Sequence, residues 1–98
     1  MLYAFVADYL PGTTEPQRDA ALARRAQWKF PDGVKPVAEF WSFGNAPMVY
    51  SVFEANDVTA IYRLVADWDD VFDIAIVPVI TAEQGLKIGP GVLAGRKR

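Results

Sequence analysis

The sequence predicts an α+β domain of the ferredoxin-like type, with the order βαββαβ and a four-stranded antiparallel sheet. Three observations carry that expectation. Turn signals cut the chain into six periodic pieces with no internal repeat, four of them rich in branched and aromatic residues and two with helical spacing. The strand-like pieces come as one, then two joined by a short turn, then one, with a helix in each gap, which is the split β-α-β arrangement. A length of 98 residues suits one domain rather than two.

Each element has its own local reasons. Leu2–Tyr9 is rich in aromatic and branched residues and stops at Pro11-Gly12, a strand followed by a turn. Thr14-Glu15-Pro16-Gln17 then opens a helix: Thr14 can cap, Pro16 sits in the first turn where no amide bond is lost, and Gln17 can close a capping box. That helix is expected to run to Lys29, where Pro31-Asp32-Gly33 breaks it. Val34–Phe43 and Met48–Glu54 read as a hairpin around Gly44-Asn45-Ala46-Pro47. Asn56 or Asp57 caps a second helix, whose Val58, Ile61, Leu64, Val65 and Trp68 follow an amphipathic stripe. The last strand is Phe72–Ile80. Its Pro78 cannot donate to a ladder, so this strand belongs at a sheet edge.

These elements make residues 1–80 the α+β domain and residues 81–98 a C-terminal extension. Gly85, Gly89, Gly91 and Gly95 with Pro90 interrupt every period there, predicting no helix or strand of useful length. Leu86, Ile88, Val92 and Leu93 are nevertheless apolar, unlike a purely solvating linker. Two expectations stand for this segment: an extended arm with apolar anchors lying across a partner subunit, and ordinary fraying of a chain end.

Composition excludes more chemistry than it suggests. With no cysteine there is no disulfide framework, thiolate nucleophile or zinc ribbon, and with no histidine the usual general base and haem ligand are missing. No metal and no cofactor is expected. The opening Met-Leu-Tyr-Ala-Phe-Val-Ala-Asp lacks a basic region and reaches an acid at Asp8, which argues against a signal peptide, and no run is long enough for a membrane span. A cytoplasmic location is the expectation by elimination. The net charge of −2 is unevenly laid out: residues 1–86 carry six basic and twelve acidic groups, whereas residues 87–98 carry four basic groups and no acid. An acidic body with a short basic tail disfavours nucleic acid as a partner.

Both faces of the expected sheet are apolar. Tyr3, Phe5 and Tyr9 alternate with Leu2, Ala4 and Val6 in the first strand, and Phe72, Ile74 and Ile76 alternate with Ala75, Val77 and Val79 in the last. Two helices cover one face only. A twofold homodimer packed through the other face is the simplest way to bury the rest.

Several stretches also resemble a known group. They are the strand ending in Pro11-Gly12-Thr13-Thr14 with Arg18 one turn later, Trp28-Lys29 before Pro31-Asp32-Gly33-Val34-Lys35, Val37-Ala38-Glu39-Phe40, and Trp68-Asp69-Asp70-Val71-Phe72-Asp73 through Val77-Pro78-Val79. Over residues 2 to 80 the chain is similar to the dimeric α+β barrel superfamily, and within it to a family of small bacterial and archaeal proteins of unknown function. The resemblance implies a barrel dimer and no particular activity. Similar sequences often carry a histidine after the Glu-aromatic pair, where this chain has Trp41 after Glu39-Phe40, so any chemistry resting on that histidine is absent here. Cofactor-free monooxygenases, isomerases and polyketide cyclases share the wider barrel, each with its own pocket residues.

The candidate site lies under the first helix. At 100° per residue Ala21, Leu22, Ala26 and Trp28 define its apolar arc, and Arg18 and Arg25 fall near the middle of that arc. Pointing inward, the two guanidinium forks would flank an anionic ligand; a helix rolled onto its alanines would send both outward, and Glu39, Glu54 or Asp8 could pair with them. The aromatics Trp28, Trp41, Tyr50, Tyr62 and Trp68 suit either a core or a cleft for a planar substrate. From these, Arg18, Arg25, Trp41, Tyr50 and Trp68 are the candidate ligand-binding residues. The expected function is a small-molecule-binding barrel, with a cofactor-free enzyme of monooxygenase, isomerase or cyclase type on an anionic aromatic or polyketide-like compound as its catalytic form; the alternative is a non-enzymatic dimeric assembly or protein-interaction module. Asp67, Asp69, Asp70 and Asp73 fit no calcium-loop spacing and read as solvated charge, oddly placed against a helix C-terminus. Gly89-Pro90-Gly91 has no strand-to-helix context for a phosphate loop.

Overall fold

The computed structural model describes residues 1–44 and 47–96. The order is β1 (Leu2–Tyr9), α1 (Glu15–Gln27), β2 (Val34–Trp41), β3 (Val49–Ala55), α2 (Val58–Trp68), β4 (Phe72–Val79) and α3 (Ala82–Gly95). The four strands form one antiparallel sheet in the order β2-β3-β1-β4. This is the ferredoxin-like βαββαβ arrangement with a helix added at its C-terminal end. Pro36 and Pro78 sit on the two outer strands, where a missing amide donor costs no central ladder bond.

Local chemistry explains the boundaries. Thr14 caps α1 as expected: its hydroxyl accepts from the Gln17 amide at 3.3 Å while the Gln17 side chain accepts from the Thr14 amide at 2.8 Å. The helix ends at Gln27 rather than Lys29, because Trp28 turns to extended backbone while its amide still donates to Arg24. Gly33, at φ +88°, makes the turn into β2; a Cβ there would lie 3.2 Å from the Ala60 Cβ, so glycine also allows α2 to approach. The hairpin strand β2 stops at Trp41, not Phe43, since the Ser42 amide and hydroxyl turn to the Met48 and Pro47 carbonyls at 2.8 and 2.9 Å. The expected turn residues Asn45 and Ala46 lie outside the described residues. Asp57 caps α2, accepting from the Thr59 amide at 2.9 Å, and this bond holds its carboxyl below the usual carboxylate value. β4 ends at Val79, one residue before Ile80.

The core lies between the sheet and the first two helices. Phe5 and Ala7 of β1, Val49, Phe53 and Ala55 of β3, and Leu64 and Trp68 of α2 are buried there, with Ala21 the buried residue of α1. Phe53 is fully enclosed and stacks on Tyr3 at 5.6 Å. Of the expected α2 stripe, Leu64 and Trp68 are buried and Ile61 and Val65 half-buried, whereas Val58 is exposed. Ala60 is buried in its place, next to the close Gly33 turn. Among the described residues no helix covers the opposite sheet face. It presents Leu2, Ala4 and Val6 beside Tyr50 and Val52 and beside Ala75, Val77 and Val79.

The C-terminal segment corrects its expectation. Ala82–Gly95 is helical, although four glycines and Pro90 lie inside it. Thr81 supplies a complete capping box with Gln84, at 3.0 and 2.9 Å, so nucleation is helped at the one place where it is costly. No residue of α3 is buried.

Candidate functional site

A cleft opens between α1 and the helix-side face of the sheet. Its floor is Phe5, Tyr9, Val49 and Ser51, its roof Ala21 and Leu22 of α1 with Leu64 and Trp68 of α2, and its ends Trp28, Phe30, Met48 and Phe72. The cleft is open to solvent along one side, and its volume is about 70 Å³. Alanine at position 21 keeps α1 thin at its contact with the sheet, and the bulky residues gather at the helix C-terminal end, so the cleft is framed by aromatics.

All three tryptophans line it. Trp28 meets Trp68 edge-on at 5.5 Å and Phe30 at 4.6 Å, and its indole N–H donates to Asp67 Oδ2 at 2.9 Å. Trp41, at the end of β2, donates its indole N–H to Glu39 Oε2 at 2.7 Å. Arg25 donates to the other oxygen, Glu39 Oε1, at 3.0 Å, and its guanidinium lies 5.3 Å from the Trp28 ring and 5.5 Å from the Phe30 ring. One carboxylate is thus held at both oxygens by two donors from different elements. Glu39 pairs across the ladder with Ser51, the buried polar residue of the sheet, which brings a hydroxyl to the same row of the floor.

The sequence-derived candidates divide. Arg25, Trp41 and Trp68 come together on the cleft. Arg18 does not join them: it is exposed on α1, because the helix has rolled to place Ala21 against the sheet, and the two arginines are not both over the ligand space. Tyr50 lies on the other sheet face, since β3 turns Val49, Ser51, Phe53 and Ala55 toward the helices. Tyr62 is 77% exposed on α2 and is also outside the cleft. Glu39, Trp28 and Ser51 are the groups that residue spacing undervalued. The signal for Glu39 was a lone charge within the apolar run Val37-Ala38-Glu39-Phe40-Trp41 on an edge strand; its inward orientation depends on the register shift between Pro36 and Ala38, which spacing does not show.

The neighbouring Arg24 takes a separate role. It makes a two-point bridge to Asp70 at 3.0 and 3.1 Å and lies 4.3 Å over the Trp68 ring, tying α1 to the start of β4. Asp67 and Asp70 are therefore engaged by α1 and the residue that caps it. Among the described residues no group of acidic side chains is placed to hold a metal ion, and no helix is long and apolar enough to cross a membrane.

Chemically the cleft offers flat apolar walls and one compensated ion pair at its mouth. No curated protein and no solved structure matches the chain significantly. A family model does, over residues 1–93, a span that includes every strand, both helices over the cleft and most of α3. The chain belongs to the DUF3303 family, a domain of unknown function.

Proposed function

We propose that this chain is a small-molecule-binding protein of the dimeric α+β barrel type, with the cleft beneath α1 as its ligand site and a planar aromatic or polyketide-like compound as its ligand. The observation that carries the reading is the polar set of Arg25, Glu39 and Trp41 at the mouth of an otherwise apolar, tryptophan-lined cleft. Arg25 spends one N–H on Glu39 and has further donors for an acidic or enolic oxygen of the ligand. Glu39 in turn can accept a proton-bearing group. A ligand carrying both features, an enol beside a carbonyl, matches the pair. The same pair suits cofactor-free proton transfer of the isomerase or cyclase kind, in which a proton leaves the ligand for Glu39 and the resulting oxyanion is held by Arg25.

Because Trp28, Trp41 and Trp68 all line the cleft, their indole N–H resonances report occupancy directly. Titration with 2-naphthoate or salicylate is expected to shift all three saturably. Arg25→Ala should weaken binding about tenfold, the loss of one charge-assisted bond. Resonances that stay fixed at millimolar concentrations of both probes would remove the binding reading.

Two copies are expected to pack through the open sheet faces. A second reading, a non-enzymatic assembly module, is favoured by one observation: the apolar open face and the apolar side of α3 are both uncovered in the single chain. Ligand titration and assembly measurements separate the two.

A further inference from the structure

We propose that α3 is an assembly arm that docks on a second copy of this chain, in the groove between the β1–α1 loop and the α2–β4 loop. This rests on the face-to-face dimer just proposed and gives a role to the helix that such a dimer leaves over. The groove has a volume of about 430 Å³, with Leu10, Pro11 and Val71 on its apolar side and Gln17, Arg24 and Asp70 on its polar side.

Topology decides which copy can reach it. Tyr9 pairs with Phe72, so the groove lies at the end where β1 finishes and β4 begins; α3 leaves from the other end, where Leu2 pairs with Val79. Within one chain α3 therefore starts at the sheet end opposite the groove, and the molecule extends 57 Å along its long axis. A twofold axis lying between two stacked sheets and perpendicular to the strands places the Val79 end of one copy over the Phe72 end of the other. Stacked sheets are about 10 Å apart and a helix of this length spans about 21 Å, so the arm is long enough to cross the partner's sheet edge.

Charge selects the same pairing. The segment 87–98 carries Lys87, Arg96, Lys97 and Arg98 and no acid, whereas residues 1–86 have twice as many acidic as basic groups. Beside the groove, Asp8 and Asp73 face each other directly across the β1–β4 ladder, and among the described residues no cation bridges either of them or Asp69. Like charges opposed on a ladder are destabilising, and a basic arm from outside relieves them. The apolar chemistry agrees. Leu86, Gly89, Val92 and Leu93 share one side of α3, and Leu86 and Leu93 are 78% and 65% exposed in the single chain. A glycine within that side permits close approach to Val71 and Leu10 of the partner subunit.

A chain without cysteine allows an unambiguous test. Val71→Cys is combined in the full chain with Leu86→Cys, with Leu93→Cys or, on the opposite side of α3 where a Cβ meets nothing, with Gly91→Cys, and each variant is oxidised at micromolar concentration. The Leu86 or Leu93 combination is expected to give a disulfide-linked species of twice the 10.9 kDa chain mass, and the Gly91 combination and the single variants little of it. A disulfide formed within one chain assigns α3 to its own subunit and overturns the proposal. Absence of any cross-link in a protein that light scattering shows to be dimeric also overturns it, and leaves the sheet-face dimer standing; a monomer in light scattering removes both. As a second readout, Lys87→Glu with Arg96→Glu should weaken dimerisation about tenfold at low salt and much less at high salt. An unchanged dissociation constant counts against the arm.

Discussion

Arg24 and Arg25 are adjacent in sequence and serve different surfaces, because successive residues on a helix point about 100° apart. Arg24 turns to Asp70, whose carboxyl its hydrogen bonds hold below the usual carboxylate value. The native pKa therefore lies below that of the unfolded chain, near 3.9. The stabilisation is present above that unfolded value and is lost as pH falls through the native one. Both partners are well exposed, so the effect is of the surface kind, about 0.2–1 kcal/mol. Asp70→Asn should thus lower urea stability by that amount at pH 7, with the deficit shrinking progressively as pH falls below the unfolded value and through the native one; a deficit that does not change with pH would assign the loss to packing instead. The pair also shows how much residue spacing could reveal. Helical angles fix where Arg18, Arg24 and Arg25 lie relative to one another, and of the two arginines expected on the inner arc Arg25 lines the cleft. The roll of the helix is set by what it packs on, here Ala21 against the sheet, and that decides against Arg18. Tyr50 failed for the strand version of the same reason: β3 has apolar residues on both parities, and the inward set contains Ser51, so alternation alone does not choose a face.

The elements split between those whose stability is local and α3, which buries no residue in its own chain. β1, the α1 capping box, the Asp57 cap and the edge placement of Pro78 were legible because each rests on a few adjacent residues. α3 was not. Its glycines and Pro90 read as breakers, yet each glycine costs only about 1 kcal/mol relative to alanine and the proline about 3, and a capping box offsets part of that. What remains unusual is that a 14-residue helix with such a composition buries no residue in its own chain. Isolated helices of about 12–15 residues are marginal in water even with good composition. On the assembly proposed above, the persistence of this helix depends on a second copy. Amide exchange over residues 82–95 should accordingly be fast in dilute protein and slow with increasing concentration, whereas exchange in β1 should be protected throughout. Pro90→Ala should slow α3 exchange even in dilute protein by restoring an amide donor and removing the ring clash. Concentration-independent protection of α3 in the wild type would show that the helix stands by itself.

At the scale of the molecule, the single chain is too open for its mass. Its radius of gyration is 16.6 Å, where a compact domain of this length has about 13 Å. It exposes 7287 Å², and the scaling for 10.9 kDa gives about 5,600 Å², an excess of about 1,700 Å². A standard interface removes about 800 Å² from each partner. The excess is thus of the size that one sheet face and one helix side would hide, and both are apolar. Light scattering at micromolar concentration is expected to report twice the chain mass. Val6→Lys or Val77→Lys, placed in the middle of the open face where Val6 pairs with Ala75 and Val77 with Ala4, should shift the protein to monomer while leaving the three cleft indole resonances unmoved, since these side chains point away from the cleft. Loss of the dimer together with loss of those resonances would mean that the lysine unfolds the sheet, and a dimer that tolerates either lysine would move the interface to another surface.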